Sequence, residues 1–264
     1  MKNQKIHFCL GSGWKILTYM FFIPWFFVAC SSIDSKENKV FDAQQKYRES
    51  VKFRNLKMRA EMYEGLKEAI RLDPDEPLYH FELASAYFTD NKLAEAESEY
   101  LTTLKLQENF IEAYKRLGRL YMSQGKWDNA IHYFKDVLNR SGVTNPHQVQ
   151  NWLAISYYAK GKVNLAEKAW REALSFGENS EIRLNLAIAY KANEQYRLAT
   201  ESLVKAIELD PDLVRAHFEI AQLYLKANNK DLAKNHFGRV IDLEPLSKQG
   251  KASQEYLRLI QSGK

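Results

Sequence analysis

Few residues in this 264-residue sequence have the types and spacing that covalent or metal chemistry requires. Cys9 and Cys30 are the two thiols; Cys9 falls in an N-terminal segment expected to be removed, which leaves a single cysteine and no disulfide scaffold. The histidines beyond that segment are His80, His132, His147, His217 and His236. No two stand three or four residues apart, the spacing that would put both on one helical face as metal ligands, so each is expected as a surface or packing residue and no metal is expected. There is no Gly-x-Ser-x-Gly, no His-Glu-x-x-His and no phosphate-cradling glycine loop, since Gly11-Ser12-Gly13 lies in the segment to be removed. Acid pairs such as Glu95 and Glu97, or Glu108 and Glu112, sit among lysines on solvated helix faces. No catalytic residue, no cofactor and no enzymatic activity are expected.

Cys30 remains, and its surroundings give its thiol a use. Residues 1–15 carry Lys2, Lys5 and Lys15 and no acid; residues 16–29 are uncharged and end in the small Ala29. These are the regions of an export signal. Fourteen residues at helical rise reach about 21 Å, short of the ~30 Å hydrocarbon core, and Pro24 interrupts them, so a permanent span is disfavoured against cleavage. Phe27-Val28-Ala29-Cys30 resembles the bacterial lipoprotein signal, with Phe27 where that signal usually has leucine. The resemblance implies a signal peptide over residues 1–29, a diacylglycerol (palmitate-bearing) group on the Cys30 thiol, and Cys30 as the new N-terminus. Ser31 is compatible with sorting to the outer membrane, facing the periplasm. An uncleaved anchor and ordinary secretion are the alternatives. The polar residues that follow suggest that 30–42 is a flexible tether.

Composition narrows the remainder. With 45% hydrophobic and 27% charged residues and only 11 Gly and 6 Pro, the chain is neither collagen-like, low-complexity nor multi-span. Its formal charge of +5 comes largely from the three N-terminal lysines; setting them aside leaves 35 of the 38 basic residues against 33 acidic ones. A phosphate-binding surface needs clustered positive charge, so no nucleic-acid partner is expected.

The elements that position everything else repeat. Tyr87, Tyr121, Tyr157, Tyr190 and Tyr224 are separated by 34, 36, 33 and 34 residues. Nine places after each comes Ala96, Ala130, Ala166, Ala199 or Ala233, and four further on a bulky residue: Tyr100, Phe134, Trp170, Leu203 or Phe237. Within one unit, Leu117, Leu120 and Tyr121 form an apolar stripe on a first helix, A, and Ala130, Phe134, Val137 and Leu138 form one on a second, B. Pro74, Pro77, Pro146, Pro211 and Pro245 fall where units meet. This period and these residues resemble the tetratricopeptide repeat. The resemblance implies an all-α, right-handed superhelical solenoid of about six helix pairs over 43–262, with units at 43–76 (degenerate), 77–110, 111–144, 147–179, 180–213 and 214–247 and a cap helix at 248–262 whose apolar stripe is Ala252, Tyr256, Leu259 and Ile260. The break at Gly142-Val143-Thr144-Asn145-Pro146 is two residues longer than the period.

In tetratricopeptide proteins the concave face comes mainly from helix A. Carrying its places over to this chain gives a candidate partner-binding groove of Phe81, Phe88, Lys115, Arg119, Met122, Asn151, Ile155, Tyr158, Leu184, Ile188, Phe218 and Leu225. Its many apolar residues suggest an apolar peptide or helix as occupant; the alternative for any one of them is packing against a neighbouring helix. Burying three or four partner side chains releases roughly 5–10 kcal/mol of transfer free energy, reduced by lost translational and rotational freedom. The carboxylate clamp of chaperone-binding repeats is not reproduced, because Arg119 and Trp152 stand where asparagine is expected.

A lipoprotein signal, a tether, about six repeats and the Pro-Leu-Ser-x(6)-Gln-Glu-Tyr-Leu segment at 245–257 resemble the type IV pilus biogenesis lipoproteins of the PilF/PilW/Tgl kind. That resemblance implies a pilotin, which binds secretin subunits as protein clients and promotes their assembly. The alternative is a periplasmic repeat scaffold that recruits peptidoglycan hydrolases or proteases.

Overall fold

The computed structural model describes the backbone of residues 23–262 and the side chains of 36–262. Among these residues there are thirteen helices and no strand: α1 (Ile23–Asn55), α2 (Arg59–Leu72), α3 (Pro77–Thr89), α4 (Leu93–Leu106), α5 (Ile111–Ser123), α6 (Trp127–Leu138), α7 (Pro146–Ala159), α8 (Val163–Leu174), α9 (Ser180–Ala192), α10 (Tyr196–Leu209), α11 (Val214–Lys226), α12 (Lys230–Leu243) and α13 (Lys248–Gln261). They fall into two units, residues 1–75 and 76–264.

In the second unit, α3 to α12 form five helix hairpins, stacked in chain order and closed by α13. The alanine row explains why two helices can cross so closely: Ala96, Ala130, Ala166, Ala199 and Ala233 are all 0% exposed, and the bulky residues four places on are 0–2% exposed. A second small-residue row faces them from the A helices, Ala84, Gly118, Ala154, Ala187 and Ala221. At Gly118 even a methyl group is too much, because a Cβ there would stand 2.4 Å from the Phe134 ring.

Each hairpin turns at the same corner. Four places after each register tyrosine stands a residue in the left-handed region: Asn91, Gly125, Gly161, Glu194 and Asn228, with φ between 57° and 73°. The next residue's N–H returns to the tyrosine carbonyl at 2.8–2.9 Å, which satisfies a carbonyl left over at the helix end. Entry to the A helices uses other devices. Pro77 and Pro146 occupy first-turn positions, where a missing N–H costs nothing, and Asn179 Oδ1 accepts from the Ile182 N–H at 3.0 Å.

The connection at 139–145 is longer than the other joints between hairpins and carries left-handed residues at Gly142 and Asn145. Its carbonyls need donors. Lys115, 6% exposed, reaches across from α5, and its Nζ donates to Thr144 O at 3.0 Å and Thr144 Oγ1 at 3.1 Å.

The cap α13 stacks Tyr256 on Phe237, ring centroids 4.7 Å apart, and buries Ile260. Gly250 lies so close to the preceding turn that a Cβ would be 2.1 Å from Glu244 O. Leu259, expected in the apolar stripe, is exposed, while Gly250 and Ser253 take the inner places.

The first unit is the pair α1–α2. Ala43 and Ser50 on α1 and Met62, Leu66 and Ala69 on α2 are buried, and a Cβ on Gly65 would lie 2.9 Å from Ser50 Cβ. The segment 30–42, expected as a flexible tether, has helical backbone within α1. The reason is visible in the sequence: no Gly or Pro falls within 30–42, so no strong helix breaker interrupts that segment. Residues 1–22 and the Cys30 side chain, on which the signal and lipidation expectations rest, lie outside the described residues. Among the described residues no helix is long and apolar enough to cross a membrane.

Candidate functional site

The expected groove residues all lie on the A helices, but the core takes several of them. Leu184 is 0% exposed and belongs to the interior, as does Phe81, whose ring packs 4.9 Å from Phe110 and 5.7 Å from Tyr100. These two are corrected to core residues: their place in the A helix points between hairpins. Lys115 is corrected too, since its ammonium braces the 139–145 connection. Asn151 is tied down, its Oδ1 accepting from Trp170 Nε1 at 2.8 Å and from Asn185 Nδ2 at 3.4 Å.

The remaining residues form a half-buried strip. Phe88, Met122, Ile155, Tyr158, Ile188, Phe218 and Leu225 each pack one side on the core and leave the other accessible. Tyr158 lies 5.9 Å from Trp170, and Phe218 lies 6.0 Å from Phe237 and 6.3 Å from Tyr256, so these rings are held in place before any partner arrives. The Arg119 guanidinium lies over the Trp152 ring, 5.2 Å from its centroid, and has no acidic partner among the described residues. Lys191, by contrast, is paired with Glu219 and also reaches Gln222. The strip therefore offers apolar contact with a sparse, fixed set of charges. It holds no nucleophile beside a base, and among the described residues no group of three or more metal-ligating side chains comes together.

Reading single helix faces misses what the hairpins bring together from nineteen residues apart. His80 Nδ1 donates to Glu99 Oε2 at 2.6 Å; Tyr114 and Tyr133 pair with centroids 6.0 Å apart; His217 meets His236. All three pairs join the same place on helix A to the same place on helix B. In the last pair, His217 Nε2 donates to Pro211 O at 3.0 Å, which leaves its Nδ1 to accept from His236 Nδ1 at 2.9 Å. Burial first, and the neighbouring His217 second, hold the His236 imidazole below the ordinary histidine range. Tyr121 crosses between hairpins, donating to Glu97 Oε1 at 2.7 Å; burial and that carboxylate push its phenol well above the usual value.

Comparison with known proteins agrees with this architecture. A family model described as a tetratricopeptide repeat matches residues 115–181 and 184–248, and one described as YpiA-like tetratricopeptide repeats matches 62–108. The BBSome complex member BBS4 homolog of Drosophila melanogaster is 25% identical over 176 residues, 60% of this chain and 36% of its own length, so the chain spans about a third of that curated relative. Among solved structures, Pseudomonas aeruginosa pilF superposes with a TM-score of 0.69 at 14% identity, covering 83% of this chain and 99% of that one. PilW, described as a widely conserved type IV pilus biogenesis factor, superposes with a TM-score of 0.68 at 15% identity, covering 80% and 97%. The register of alanines, the shared corner and the matched models lead to one assignment: the chain belongs to the tetratricopeptide repeat family.

Proposed function

We propose that this chain is a non-enzymatic, lipid-anchored outer-membrane protein that holds a protein client on the A-helix strip of its repeats, and that it acts as a pilotin, promoting secretin assembly for type IV pilus biogenesis. The observation that carries this reading is two-way coverage. The pilF and PilW structures are spanned almost end to end, whereas the curated relative is matched over a fraction of its length. The lipoprotein-like Phe27-Val28-Ala29-Cys30 adds to it, because a solenoid working at the outer membrane needs an anchor and a single thiol provides the attachment point. The half-buried strip is suited to holding a client, because its rings are prepositioned and few new side chains must be ordered on binding.

The test is deletion of the gene followed by gel analysis of secretin multimers. Loss of multimers, restored by the wild-type chain and not by Cys30→Ser, supports the pilotin. Intact multimers with altered cell-wall turnover reject it in favour of a scaffold for peptidoglycan hydrolases or proteases. Lipid labelling that persists in Cys30→Ser rules out that thiol as the attachment point.

A further inference from the structure

Between α11 and α13 the A-helix face of the second unit opens into a pocket of about 280 Å³, lined by Arg215, Phe218, Glu219, Lys248, Gln249 and Ala252. Its apolar part is Phe218 and Ala252, both half-buried, with Phe218 held against the side of the stacked Phe237 and Tyr256 rings. Small-molecule sites usually enclose about 300–1,000 Å³, so this volume suits a single side chain of a longer ligand.

The charges at the rim are unbalanced. Glu219 is neutralised by Lys191 from α9. Arg215 and Lys248 are exposed and have no acidic partner among the described residues. Two cations therefore flank an apolar floor whose only carboxylate is already engaged. Arg119, far earlier in the chain and stacked on Trp152, is a further cation on the A helices without an acidic partner among the described residues, while Lys115 is turned into the 139–145 connection and Lys191 is paired with Glu219. A guanidinium offers a planar fork to a carboxylate, and an ammonium beside it adds a point charge.

We propose that this pocket takes an apolar–acidic step of a bound peptide: a large apolar side chain against Phe218, with an adjacent carboxylate between Arg215 and Lys248. The assignment rests on the reading that the A-helix strip holds a client peptide, and it names the chemistry of that client. The rim is open to water, so the charge contribution is modest and sensitive to salt.

The experiment is a membrane-bound array of peptides Ser-Gly-X-Z-Gly-Ser, with every residue at X and Z, probed with the full chain in detergent and followed by fluorescence anisotropy on the strongest pairs. Peptides with Leu, Ile, Phe or Met at X and Asp or Glu at Z bind about tenfold tighter than their Asn or Gln counterparts. The double variant Arg215→Glu with Lys248→Glu, both surface changes that leave circular dichroism helical, moves the preference at Z to Lys and Arg. Equal binding of acid and amide peptides, no binding above background, or a preference unmoved by the charge reversal overturns the pocket. If Ile155→Glu with Ile188→Glu abolishes peptide binding in a folded protein while the charge reversal changes nothing, the strip stands and the pocket falls. If neither double variant affects binding, both fall.

Discussion

The first hairpin of the second unit, α3–α4, and the last, α11–α12, share a backbone register and differ in the polar pair each holds at the same place between its helices. In the first, His80 meets the Glu99 carboxylate; in the last, His217 meets another imidazole. Around these pairs the packing is equivalent: Ala96 and Ala233 at the crossing, Tyr100 and Phe237 beside them, Asn91 and Asn228 at the corner. The protons behave differently. A proton added to His80 leaves its bond to Glu99 in place and turns it into an ion pair. A proton added to the His217–His236 pair meets either a buried environment or a second donor, with no carboxylate partner to receive it. The repeat fixes geometry, and each unit is free to choose the chemistry placed on it.

The largest effect tests whether the packing really is equivalent. Phe237→Ala and Tyr100→Ala each empty a fully buried site and are expected to cost about 3–5 kcal/mol. Hydrogen exchange should show protection lost first in α11–α13 for the former and in α3–α5 for the latter. A cost below about 1 kcal/mol at either site breaks the comparison.

An intermediate effect separates the two pairs by pH. The folded-state value of His236 lies below the ordinary 6.5, so the unfolded chain takes up a proton more readily. The contribution of that group is complete above about pH 6.5 and is lost as pH falls through that value toward the folded one. Amides of α11–α12, corrected for intrinsic exchange, should lose protection between about pH 7 and 5, and His236→Gln should remove that dependence. In α3–α4, Glu99→Gln is expected to cost about 1 kcal/mol, because the His80 Nδ1–H loses a charged acceptor. A pH dependence in α11–α12 that persists in His236→Gln would show that the imidazole pair is not its source.

The smallest effect should be identical at the two ends. Asn91→Gly and Asn228→Gly place the residue best suited to positive φ at equivalent corners, and each is expected to change thermal stability by no more than a few tenths of a kcal/mol. Unequal shifts would mean that the corners differ despite their matching dihedral angles.

Much of this architecture can be read from spacing. The tyrosine, alanine and bulky rows lie in the sequence, and close packing requires them to be small and large where they are. Two of the five corners are glycines and legible as turns; Asn91 and Asn228 tolerate positive φ but give a weaker signal than glycine, and Glu194 gives none. The site is less transparent. Whether a given A-helix residue faces a partner or a neighbouring hairpin depends on a modest rotation about the helix axis, which a fixed list of places cannot supply; Leu184 and Phe81 were lost to the interior in this way. Lys115 left the strip because two extra residues downstream exposed a carbonyl that needed a donor. The His217–His236 pair falls outside any search along one helix, since a turn brings its members together.

The corner repeated in every hairpin has a kinetic consequence. Because each hairpin closes on itself within about thirty residues and its principal contacts reach only the adjacent helices, the second unit has low contact order, and any hairpin can serve as a nucleus. Such an array opens joint by joint, since each hairpin holds only its neighbours. The pocket beside α13 spans the joint between α11 and α13, where a bound peptide would act as a clasp and slow the opening of that joint.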